Sequence, residues 1–160
     1  MRFAKPALVA LKNMKPCGHD GDHDIIILSD HGRSPLGIDR EIIERKARTA
    51  NGTLRKYQVA SKRTFSLSWE NLPGVHGAGQ LRPNTADGHA GARQLEEFCE
   101  CATDLVHAYI SSFDDTPKFP EGIDWESDPL VKVMISSYSV TLNKRGRYEM
   151  YDADLSMEEV

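Results

Sequence analysis

The stretch RTANGTLRKYQVASKRTFSLSW, Arg48 to Trp69, decides the fold. Asn51-Gly52 is the preferred centre of a two-residue hairpin turn, because both turn positions need positive φ. Downstream, Phe65, Leu67 and Trp69 alternate with Thr64, Ser66 and Ser68, the period-two pattern of a strand with one buried face. Further out, the same alternation puts Ser61 and Arg63 on the apolar side, so the core face ends partway along the strand. The reading is a long hairpin over 41–69 whose outer half projects as an arm. With Asn51-Gly52 as the turn, Thr49 faces Leu54, Lys46 faces Tyr57 and Ile43 faces Ala60.

The arm is basic in an acidic chain. Between residues 45 and 63 lie Arg45, Lys46, Arg48, Arg55, Lys56, Lys62 and Arg63, with no acid among them. The whole chain has net charge −4, so the 141 residues outside this stretch carry −11. Three readings compete. The arm grips nucleic-acid phosphates, packs on an acidic protein surface such as a copy of itself, or is a solvated ribbon whose charges guard against edge-to-edge aggregation. Tyr57 is the only ring between residues 45 and 63, which argues against a base-stacking platform. The −11 elsewhere supplies partner charge for self-assembly. The candidate interface is therefore Arg45, Lys46, Arg48, Arg55, Lys56, Tyr57, Lys62 and Arg63.

The rest of the chain is consistent with one domain over 1–160. Hydrophobic content is 39% and charged content 28%, ordinary for a globular protein. No run approaches the roughly 18 apolar residues of a membrane span, and Pro6 and Lys12 break the N-terminal apolar patch, against a signal peptide. Cys17, Cys99 and Cys101 are odd in number, and Cys99 and Cys101 sit two apart, so reduced thiols are expected. Residues 1–24, punctuated by Pro6, Pro16, Gly18 and Gly21, read as irregular. The run DIIILSD (24–30) reads as a buried strand. Residues 71–91 and 114–129 read as loops. The apolar spacing of Leu95, Phe98, Ala102, Leu105, Val106, Tyr109 and Ile110 predicts a helix over 92–113, its other face acidic with Glu96, Glu97, Glu100 and Asp104. LVKVMISSYSVTLN and RYEMYDADLSMEEV, joined at Lys144-Arg145-Gly146, read as a second hairpin. The expected class is α+β: a mainly antiparallel β-sandwich or open barrel with one packed helix and a long projecting hairpin.

Little here points to chemistry. CGHDGDHD (17–24) offers Cys17, His19, Asp20, Asp22, His23 and Asp24 as ligands, enough for a metal-binding accessory role through Cys17, His19 and His23. The spacing matches no closed zinc pattern and lacks the distal glutamate of a calcium loop, so a polar turn without metal is the expectation. His31, His76, His89 and His107 are scattered. The glycine-rich GVHGAGQ and TADGHAG lack the Lys-Ser/Thr of a phosphate-binding loop. No nucleophile, general-base pair or cofactor motif stands out, so neither catalysis nor a cofactor is expected.

RTANGTLRKYQVASKRTFSLSWENLP, TADGHAGARQLEEFC and the terminal SYSVTLNKRGRYEMYDADLSMEEV, taken in order, resemble the structural tail proteins of long-tailed bacteriophages. The resemblance covers about 65 of the 160 residues. It implies an antiparallel sandwich or open barrel with one helix, a non-enzymatic virion protein, and ring assembly, usually six-fold, through hairpins and loops. The implied place is a tail tube, tube-end adaptor, neck or baseplate. The implied partners are copies of itself and other tail proteins, with DNA passing through a lumen but not specifically bound, and no membrane. Synthesis would be in the host cytoplasm. The alternative is a nucleic-acid-binding module using residues 45–63.

Overall fold

The computed structural model describes residues 7–15, 24–74, 87, 89–116, 118–144 and 149–160. Seven strands make one antiparallel sheet: β1 (Val9–Asn13), β2 (Ile25–Ile27), β3 (Gly37–Arg48), β4 (Leu54–Pro73), β5 (Val106–Ile110), β6 (Leu130–Lys144) and β7 (Met150–Glu159). Their order is β2-β1-β5-β6-β7-β4-β3, so the sheet is open, with β2 and β3 at its ends. One helix, α1 (Ala92–Cys101), packs against β6 and β2. The class is α+β, as the sequence leads one to expect.

The core follows from alternation. Phe65, Leu67 and Trp69 of β4 are buried and join Ala153, Leu155 and Met157 of β7 and Val131 and Val133 of β6 in one cluster. Leu95 and Phe98 of α1 enter the same cluster. The Trp69 indole donates to the Ser29 carbonyl at 2.8 Å, so its N–H is satisfied where it is buried. On β5, Val106, Ala108 and Ile110 join the cluster, while the intervening Tyr109 is also fully buried. Its hydroxyl donates to Asp114 at 2.8 Å and accepts from the Lys118 amide at 3.2 Å, which ties Asp114 and Lys118 to it.

Three expectations are corrected. The helix ends at Cys101 rather than running to 113, and Val106–Ile110 is strand β5. Residues 106, 108 and 110 share one strand face while 105, 106, 109 and 110 share one helical stripe, so the segment fits both periods, and the backbones of β1 and β6 bond it on both sides. The N-terminal segment is not irregular throughout, because Val9–Asn13 is an inner strand between β2 and β5. Its Asn13 is buried and donates to the Cys101 carbonyl at 3.1 Å, fastening strand to helix end. Cys99 is free and buried, but Cys101 is disulfide-bonded, so the expectation of wholly reduced cysteines is corrected too.

Candidate assembly interface

β4 pairs with β7 only from Thr64 to Pro73. Beyond that point Leu54–Arg63 pairs with β3 alone, a two-stranded ribbon. Leu54–Val59 and Arg45–Arg48 are exposed throughout. The loss of apolar alternation seen in the sequence is thus the place where the ribbon leaves the core.

The turn differs from the two-residue loop expected. The Gly52 amide bonds the Thr49 carbonyl at 2.8 Å and the Thr49 amide bonds the Thr53 carbonyl at 2.9 Å. Gly52 has φ +83°, while Asn51 does not take positive φ. This is a three-residue loop, a tight turn followed by a left-handed glycine. Outer pairs therefore shift by one: Arg48 faces Leu54, Lys46 faces Lys56 and Arg45 faces Tyr57. Opposite Ile43/Glu44 the ladder skips Val59, a bulge, and Ile43 faces Ala60 as expected.

The register sorts the basic residues. On one face, Glu44 forms ion pairs with Lys46 at 2.6 Å and with Lys56. These two ammonium groups hold the Glu44 carboxyl below its ordinary range. Arg48 donates to the Gly52 carbonyl at 3.1 Å. At the arm's base, Arg63 makes a bidentate pair with Glu159 and lies 4.9 Å over the Phe113 ring. Arg45, Arg55 and Tyr57 share the other face with Ala47, and no ion pair joins Arg45, Arg55 or Lys62 among the described residues. The eight candidate residues thus divide. Arg48, Lys46, Lys56 and Arg63 have partners in their own chain, Lys62 is half-buried near Glu159, and Arg45, Arg55 and Tyr57 are exposed.

Sequence reasoning missed Glu44 and Glu159 as partners. Glu44 was legible, being two residues before Lys46 on a strand face. Glu159 was not, lying 96 residues from Arg63. It also missed Phe119, which is 82% exposed in the acidic segment between β5 and β6.

Other candidates for chemistry offer less. Cys17, His19, Asp20, Asp22 and His23 lie outside the described residues, as does His76. Among the described residues no group of three or more His, Cys, Asp or Glu is arranged to hold a metal, and no helix is long and apolar enough to cross a membrane. Burial, then Lys132 and Lys12, keep His107 below its ordinary pKa. A shallow cavity of about 260 Å³ is lined by Ser66, Ser68, Ser137, Ser156 and Asp154, hydroxyls around one carboxylate with no histidine or lysine beside them.

No protein-family model matches the chain, and no curated protein matches it. Among solved structures, it is similar to a chain in the tail of an empty GTA particle, with C6 symmetry, at 14% identity and a TM-score of 0.45. That alignment covers 100% of this chain and 95% of the other. A likeness of that degree carries no functional argument.

Proposed function

We propose that this chain is a non-enzymatic structural protein of a bacteriophage tail that assembles with copies of itself into a ring, six-fold by the family it resembles. The observation that carries the proposal is the arm: a ribbon detached from its own core, with Arg45, Arg55 and Tyr57 on one open face and its acidic counter-charge elsewhere on the same chain. A lone two-stranded hairpin is marginal in water, so a ribbon this long makes physical sense when a neighbour completes it. Open strand edges support the same reading. β6 pairs with β5 only over Leu130–Val133, which leaves Met134–Lys144 with a strand on one side alone among the described residues. Such edges invite strand addition. A heterologous junction, arm on one patch and its complement on the next copy, closes into a ring when the rotation permits.

The nucleic-acid reading loses ground on the same geometry. Glu44 offsets one of the two charges of Lys46 and Lys56, and Glu159 offsets that of Arg63, so fewer cations remain for phosphates than the sequence suggests. The experiment is electron microscopy and light scattering of the purified chain at low salt. Rings or tubes are expected. A stable monomer that binds DNA with a steep salt dependence would overturn the proposal.

A further inference from the structure

The largest exposed apolar side chains gather in two places. Val59 is 76% exposed and Tyr57 59%, both on the arm, and Phe119 is 82% exposed on the segment between β5 and β6. The arm patch is flanked by Arg45 and Arg55. The Phe119 patch is flanked by Asp115, Glu121 and Glu126, all exposed. One surface is aromatic, aliphatic and basic; the other is aromatic and acidic.

Resting on the ring-assembly reading above, we infer that the arm face of one copy, Arg45, Arg55, Tyr57 and Val59, docks on the Phe119 loop of the next copy. Buried aromatic anchors beside arginines are the composition of interface hot spots, and guanidinium groups over an aromatic ring add an attraction of their own. The loop is built to present Phe119 rather than to collapse on it. Asp128 pairs with Lys118 at 2.5 Å and accepts the Asp124 amide at 2.6 Å. Asp124 in turn accepts the Glu126 amide at 3.0 Å, and the Phe119 carbonyl accepts the Gly122 amide at 2.9 Å. Tyr109 holds the loop's first residues from beneath. A loop ordered before docking loses less freedom on docking.

The two patches do not meet within one chain. Phe113, at the start of the loop, lies by Arg63 at the arm's base. Tyr57 is six residues further out, about 20 Å along a strand. The exposure of Phe119 confirms that its own arm does not cover it. The contact therefore lies between copies, and a head-to-tail arrangement of it extends to a ring. The rival acceptor is the helix face with Glu96, Glu97 and Glu100, whose nearby apolar group, Tyr138, is more covered than Phe119.

The test uses the wild-type chain, an arm variant (Arg55→Glu with Tyr57→Ala), a loop variant (Phe119→Ala) and a helix-face variant (Glu96→Lys with Glu100→Lys). Mass is read by native mass spectrometry and light scattering across a concentration series. All changes lie on exposed positions, and circular dichroism checks that each monomer folds. The wild type is expected to assemble beyond a dimer, and the arm and loop variants to need at least about tenfold more protein to do so. The equimolar mixture of arm and loop variants is the decisive sample. One variant keeps a working arm and the other a working loop, so a 1:1 heterodimer forms and grows no further. If the wild type assembles and Phe119→Ala assembles at the same concentration, or if the mixture yields no heterodimer, the docking is wrong while ring assembly stands. Loss of assembly in the helix-face variant alone would place the arm on α1 instead. A wild type that stays monomeric throughout would overturn the ring reading itself, and this inference with it.

Discussion

Arg63 and Glu159 hold the base of the arm to the end of the chain by three hydrogen bonds to one carboxylate. The Arg63 Nε and Nη2 donate at 2.9 and 2.8 Å, and its backbone amide donates at 3.1 Å. The guanidinium also stacks over Phe113, so the pair joins the arm, β7 and the loop after β5 at one point.

The pair predicts an acid-sensitive contribution to stability. Its hydrogen bonds with Arg63 pull the Glu159 carboxyl below its ordinary range. A carboxylate lowered on folding contributes stability above its unfolded pKa and loses it as pH falls through the folded value. Both side chains are about one-quarter exposed, so the contribution is discounted for solvent. Arg63→Met should cost about 1–2 kcal/mol at pH 7 by urea melting. The difference from wild type should shrink as pH drops below about 4.5. An unchanged difference at pH 3 would show that packing on Phe113, not charge, holds the arm base.

Two glycines with positive φ should respond differently to alanine. At Gly52 (φ +83°) an added Cβ meets nothing within 4 Å, so Gly52→Ala should cost only the conformational term, about 1 kcal/mol. At Gly32 (φ +64°) it would fall 2.2 Å from the Glu70 carbonyl oxygen. Gly32→Ala should therefore cost more than Gly52→Ala, roughly 2 kcal/mol or above. Equal losses in denaturant melts would mean that the loop holding Gly32 relaxes freely.

The end of α1 at Cys101 has a mutational signature. Leu95 is buried in the core cluster, whereas Leu105 lies between α1 and β5 and is partly exposed. Leu95→Ala should cost about 2–5 kcal/mol and Leu105→Ala clearly less. The reverse order would restore a continuous helix to 113.

Cys99 should be silent in the folded protein. It is buried, and burial, helped by Glu96, pushes its thiol up to about 12. The thiolate is the reactive form, so iodoacetamide at pH 8 should label Cys99 only after unfolding. Rapid labelling of the native chain, located by peptide mapping, would contradict the burial.

Much of the architecture was legible because it rests on local alternation. Phe65, Leu67 and Trp69 announced a half-buried strand, and the polar and basic residues beyond them announced where burial stops. The base register, Ile43 opposite Ala60, also followed from the position of Asn51-Gly52. The outer register did not. Gly52 alone takes positive φ, the loop gains a residue, and the bulge at Val59 removes the offset before the ribbon enters the sheet. A turn and a bulge that compensate leave no mark in hydrophobic period.

The sequence by itself determined the strand-rich class, the detachment of the arm and the division of charge between arm and body, because each depends on residue type and near-neighbour spacing. Only the tertiary structure decided that Val106–Ile110 is a strand, that Val9–Asn13 lies inside the sheet, and which arm cations find partners in their own chain. The segment 106–110 fits two periods, and bonds from β1 and β6 select one. Arg63 finds its counter-ion 96 residues away because β7 pairs with β4. Hydrogen-bonding edges and counter-ions supplied by distant strands exist only once the chain has folded, so no local pattern encodes them.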